Sequence, residues 1–160
     1  RSLVGSEMCI RDRSENGLTT ERCMRLQMET AQHPDSVRAM QKTFIGCEIC
    51  QYACPRNAKI PPADTESFRA ANGDEINLND VFNLKRLITG DAAQARSLVG
   101  RNFTGNGKLT AEAIAFAAND SELFLSLRNE IFAAADSPFE AVRDAVRYAA
   151  AVEKKRSSHF

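Results

Sequence analysis

The sequence predicts a mostly α protein, and three observations carry that expectation. No segment alternates apolar and polar residues convincingly as a strand would. Apolar residues instead recur at helical spacing in stretches bounded by capping and breaking residues. The run Ala111–Ala118 (AEAIAFAA) is also echoed in Arg143–Ala150 (RDAVRYAA) at an offset of 32 residues. In that echo Ala113 matches Ala145, Ile114 matches Val146 and Phe116 matches Tyr148. Small residues at these places let helices approach closely, and the aromatic would plug between layers. The pattern reads as HEAT-like helical repeats, in which each helix pair buries its apolar face on the next.

The elements follow in order. Thr19 or Thr20 can cap a helix to Gln32, with Cys23, Leu26 and Met28 near one face. His33-Pro34 breaks it, and Asp35 opens a short helical stretch over 36–43. After a cysteine cluster, the double proline Pro61-Pro62 forbids regular helix in the exit loop. Asn79 or Asp80 caps the stretch VFNLKRLITG, which stops at Gly90. A further short helix is expected over Asp91–Val99, and then a loop, RNFTGNGK. Three helices close the chain: Leu109–Ala118, Ser121–Ala135 and Pro138–Lys154, the last with Ser137 as cap and Pro138 in its first turn. Glu153–Arg156 (EKKR) places positive charge at that helix's C-terminal end, where it complements the dipole.

Composition excludes several functions. The 160 residues carry 21 basic and 21 acidic side chains, so net charge points to neither nucleic acid nor an anionic membrane. The clean apolar run Ala113–Ala118 is far too short to cross a bilayer, and no secretory signal is read, so a cytoplasmic, monomeric protein is expected. The sequons at Asn102 and Asn119 are discounted, because nothing else points to secretion. The loop before Lys108 is no phosphate loop: the first glycine of that motif is missing, and Leu109 stands where Ser or Thr is needed. His33 and His159 are discounted as ligands, and Glu29, Asp64, Glu66, Asp74 and Glu75 are read as solvated surface.

Residues 1–13 stand apart. Leu3–Asp12 (LVGSEMCIRD) resembles the translated adaptor of transposase-based DNA library preparation. That likeness implies a non-native tail, so Cys9 is set aside, residues 1–13 are expected to bury nothing, and a native chain is expected to begin upstream of Ser14.

The chemistry lies in FIGCEICQYACPRNAKI, Phe44–Ile60, where Cys47, Cys50 and Cys54 form C-x2-C-x3-C-P. A disulfide framework does not suit a chain without secretory features. Zinc would accept C-x2-C as half of a tetrahedral site, but zinc knuckles carry turn glycines, and here Glu48-Ile49 and Tyr52-Ala53 occupy those places. Iron–sulfur is favoured, since bacterial ferredoxin runs end in C-x3-C-P. Ile45, Ile49, Tyr52 and Ala53 would then supply low-polarity walls.

GCEICQYACPRN resembles the second cluster motif of epoxyqueuosine reductase and its paralogues, double-[4Fe-4S] proteins. The motif Gly-Cys-Asp-x-Cys-Gln-x-x-Cys-Pro-x-Asn is matched by Gly46, Cys47, Cys50, Gln51, Cys54, Pro55 and Asn57, with Glu48 for the aspartate. The family's upstream Arg-Cys step corresponds to Arg22-Cys23, and a HEAT-like region follows its clusters. The resemblance implies that Cys23, Cys47 and Cys50 bind one [4Fe-4S] cluster and that Cys54 reaches the other. The remaining ligands would come from an upstream C-x2-C-x2-C-x3-C-P motif that this chain lacks. The spacing of Cys47 and Cys50 would place both thiols on one side of a helical turn, with Cys23 joining them from its own helix. In the family, electrons pass through the clusters to a cobalamin that reduces an epoxide on a modified tRNA base. An electron donor, cobalamin and tRNA would thus be partners of a full-length parent, whose active site lies outside this chain. Arg56 stands where the family has tryptophan, and MRLQMET after Cys23 departs from the usual segment, both of which favour a paralogue. The organisation implied is a tail (1–13), half of a ferredoxin-like double-cluster domain (14–62), a connecting segment with short helices (63–90) and a HEAT-like region (91–160). A metal-anchored helical module that binds a protein or RNA partner is the alternative.

Overall fold

The computed structural model describes residues 13–14, 17–18, 34–41, 55, 57–60, 81–91 and 105–158. These residues are mostly helical. Two-residue strands β1 (Arg13–Ser14) and β2 (Gly17–Leu18) pair antiparallel, with Arg13 opposite Leu18 and Ser14 opposite Gly17. Arg13, assigned from sequence to the tail, therefore takes part in a small hairpin. Helix α1 (Asp35–Ala39) follows, then a 3-10 turn at Asn57–Lys59, and then α2 (Val81–Ile88). The C-terminal part is α3 (Lys108–Asn119), α4 (Ser121–Ala133), a 3-10 turn at Ala134–Asp136, and α5 (Glu140–Ser157).

The core is built by α2 to α5. Helix α3 is its centre: Ala113, Ile114, Ala115, Ala117 and Ala118 are fully buried. Alanines cost no side-chain entropy in a helix and let a neighbouring backbone come close. α5 uses that closeness, setting Val142, Ala145, Val146 and Ala149 into the same cluster. The two segments of the sequence echo are thus the two helices that pack on each other. α4 adds Phe124, Leu127 and Ile131, with Phe124 meeting Phe132 edge-on at 6.2 Å between ring centres. α2, which the sequence places in a connecting segment, belongs to this core as well: Leu84, Leu87 and Ile88 are buried in it, and Thr110 Oγ1 donates to the Leu87 carbonyl at 2.9 Å. Its apolar residues lie at three- and four-residue spacing, so a single face has to find cover.

The helix ends are explained locally. Gly90 adopts φ +93° after α2, as the expected stop requires. Asp91 is not helical; its carboxylate and backbone N–H turn back to Arg86, so a helix over 91–99 does not begin at its expected first residue. Asp120 caps α4, its Oδ1 accepting from the N–H groups of Glu122 and Leu123 at 2.9 and 3.0 Å. The helix expected from Pro138 begins at Glu140 instead. Ser137 Oγ accepts from the Phe139 N–H, a local turn that consumes the cap, and Phe139 becomes the first flanking residue. α5 ends on Lys154, Lys155 and Arg156 as its dipole favours, and Arg156 also donates to the Ala118 carbonyl at the end of α3, at 2.9 Å. No helix among the described residues is long and apolar enough to cross a membrane.

Candidate metal centre and a polar joint of the core

The predicted ligands Cys23, Cys47, Cys50 and Cys54 lie outside the described residues, as do Cys9 and the helix expected over 19–32. Both flanks of the cysteine stretch are described. On its C-terminal side Pro55 is exposed, and Asn57–Lys59 makes a 3-10 turn closed by the Ile60 N–H on the Asn57 carbonyl at 2.9 Å. Proline after the last cysteine cannot donate a backbone hydrogen bond, so the chain leaves by a short turn. Among the described residues no three His, Cys, Asp or Glu side chains come together as a metal site.

The N-terminal flank is anchored. Pro34 precedes α1, and the segment from Pro34 to Gln41 lies across α3 and α5. Helix α1 spans 35–39, shorter than the expected 36–43, because Met40 and Gln41 turn off in successive three-residue bonds to Val37 and Arg38. Arg38 and Gln41 are the buried residues of the segment, at 6% and 3% exposure. Gln41 Nε2 donates to the Glu112 carboxylate at 2.9 Å and to the Glu112 carbonyl at 3.2 Å. Asn119 Nδ2 donates to the carbonyls of Arg38 and Gln41, at 2.7 and 3.1 Å. The Tyr148 hydroxyl donates to Asn119 Oδ1 at 2.6 Å. The Arg38 guanidinium pairs with Asp35 at 3.1 Å and lies 6.0 Å from the centre of the Tyr148 ring.

This joint has a definite donor order. Two carbonyls can only accept, so the Asn119 amide must present its nitrogen to them and its oxygen to Tyr148. Burial, and then the Asp35 carboxylate, hold the Tyr148 phenol above its ordinary value of 10.0, against Arg38 and Arg156, which pull it down. The hydroxyl therefore remains a donor at neutral pH.

Sequence reasoning had Tyr148 as an aromatic plug; it does fill that place at 6% exposure, but its hydroxyl has a second task. Asn119, Arg38 and Gln41 carried no signal, since partners 71 to 81 residues apart leave no local spacing. A polar residue on the apolar face of α3, such as Glu112, was the one legible sign. No protein-family profile matches the chain, and comparison with curated proteins and with solved structures yields no match.

Proposed function

We propose that the chain is part of an iron–sulfur oxidoreductase related to epoxyqueuosine reductase, relaying electrons through paired [4Fe-4S] clusters. The observation that carries the reading is GCEICQYACPRN, with Cys47, Cys50 and Cys54 in C-x2-C-x3-C-P. Cys23, Cys47 and Cys50 are the ligands assigned to one cluster, and Cys54 to its neighbour. The donor set fits: thiolates are the ligands such clusters take, with Cys47, Cys50 and Cys54 at the motif's spacing and Cys23 at the upstream Arg-Cys step. The packed echo of α3 and α5 supports a HEAT-like scaffold in the same region. When bound, the clusters would supply one-electron transfer; the chain's own residues contribute thiolates and a support for them. An electron donor, and tRNA with cobalamin in the full-length parent, are the partners this reading entails.

Anaerobic reconstitution of residues 14–160 with iron and sulfide tests it. With three ligands of one cluster, this segment is expected to take up iron weakly and lose it in air. The same segment joined to an upstream C-x2-C-x2-C-x3-C-P motif should hold about eight irons with matching acid-labile sulfide, lost in Cys47→Ser or Cys50→Ser. A stable cluster that needs Cys54 in the short segment would overturn the assignment. Stoichiometric zinc with no colour would overturn the iron–sulfur assignment and favour a metal-anchored helical binding module.

A further inference from the structure

Residues 34–41 are held differently from every helix of the core. Their buried side chains are Arg38 and Gln41, while Ala39 is exposed and Met40 is 55% exposed. No side chain of this segment enters the hydrophobic cluster formed by the described residues. We propose that 34–41 is a strap that lifts from α3 and α5 as a unit while the core stays folded, with Asn119 as its latch and Tyr148 as the residue that positions the latch.

Three features point to a detachable strap. Its docking rests on hydrogen bonds that water can replace, whereas apolar burial has no substitute in water. Gln41 Oε1 is buried and has no hydrogen-bond partner among the described residues. Lifting the strap gives that oxygen a water partner, which favours the open state. α1 is five residues long and cannot hold its helical form unsupported, so release and unwinding are one event. Local opening of this kind is the property of segments with few buried apolar contacts.

The latch is likewise specific. Asn119 Nδ2 donates to the carbonyl of Arg38, which also accepts from the Gln41 N–H, and to the carbonyl of Gln41, just beyond the end of α1. Tyr148 touches the strap's backbone nowhere among these bonds; it acts by fixing which way the Asn119 amide faces. The proposal stands whatever the cysteines bind.

Native-state hydrogen exchange on the full chain tests it. The amides of Val37, Arg38, Met40 and Gln41 are hydrogen-bonded and report the strap; buried α3 and α5 amides report the core. In the unaltered chain the strap amides are expected to exchange at least about tenfold faster than those of the core. Asn119→Ala should speed them about tenfold further, with a smaller change in α3 and α5. Tyr148→Phe should act in the same direction, and the double variant should be no faster than Asn119→Ala alone, because one effect passes through the other. Val142→Ala weakens the core without touching the joint, so it should speed α3 and α5 amides and leave the strap unchanged. Strap and core exchanging at one rate, and moving together in Val142→Ala, would overturn the strap. Additive effects of Asn119→Ala and Tyr148→Phe would overturn the positioning role.

Discussion

Helix α3 and the strap that crosses it are both buried where they meet, by opposite chemistry. α3 buries alanines and Ile114; the strap buries Arg38 and Gln41. Apolar burial is cumulative and tolerant of detail, at about 25 cal/mol per Å2 removed from water. Polar burial contributes little net stability per bond, about 1 kcal/mol, but demands that each donor meet its acceptor. The core therefore fixes whether the chain folds, and the joint fixes where residues 34–41 lie on it. A molecule built this way can lose the second arrangement without the first.

The largest effect expected is at the centre of the core. Ile114 is fully buried between α3 and its neighbours. Ile114→Ala should cost about 2–5 kcal/mol, the sum of lost transfer energy and a cavity that alanine neighbours cannot fill. Chemical denaturation followed by circular dichroism would read it. Because the strap has no apolar support of its own, it should be lost in the same transition. A cost below about 1 kcal/mol would mean that the core is not closely packed at this point, and the contrast with the strap would fail.

A smaller loss is expected where α3 begins. Gly107 sits at φ +70°, and a Cβ there would lie 2.7 Å from Val142 Cγ2 and 2.8 Å from Phe139 Cβ. Gly107→Ala therefore combines left-handed strain with a clash against the start of α5, about 2–3 kcal/mol together. Thermal unfolding should show the loss, and the strap's exchange relative to the core should not change. If the substitution loosened the strap selectively, the joint would depend on the α3–α5 approach and not on Asn119.

The same contrast explains what the sequence could reveal. α3 and α4 were legible because their apolar residues repeat at helical period. The start of α5 was misplaced because Ser137 and Pro138 have the composition of a cap and first turn, yet Ser137 spends its oxygen on Phe139. α2 was read as a helix, but its membership of the core was not legible, since an amphipathic face does not name its partner. The polar joint was invisible for a like reason: Gln41 and Glu112 meet only once the chain is folded. Of the proposed cluster ligands, Cys47, Cys50 and Cys54 form a motif in the sequence and Cys23 enters only through the family resemblance; all four lie outside the described residues.

The smallest effect distinguishes the two regions by pH. At the strap, the Tyr148 phenol is held above its ordinary value, so its neutral form is the one folding favours. Stability linked to it is intact below the unfolded value near 10.0 and falls as pH rises through the folded one. The edge of the core behaves in the opposite sense. Lys85 of α2 meets Glu130 of α4 at 2.5 Å, and the hydrogen bond from Lys85 is the first cause holding the Glu130 carboxyl below its ordinary 4.5. A depressed carboxylate contributes stability above its unfolded value and loses it as pH falls through the folded one. Lys85 is 54% exposed, so the pair is screened and worth only about 0.5 kcal/mol. Glu130→Gln should therefore destabilise slightly at pH 7, less so in high salt. The difference from the unaltered chain should shrink below the ordinary carboxylate range and vanish once Glu130 is protonated in both states. Urea midpoints of the two proteins, measured from neutral to acid pH, would show this convergence. A difference that persists undiminished in acid would mean that Glu130 holds α2 to α4 by packing, and that the core's edge has no ionic component to set against the strap.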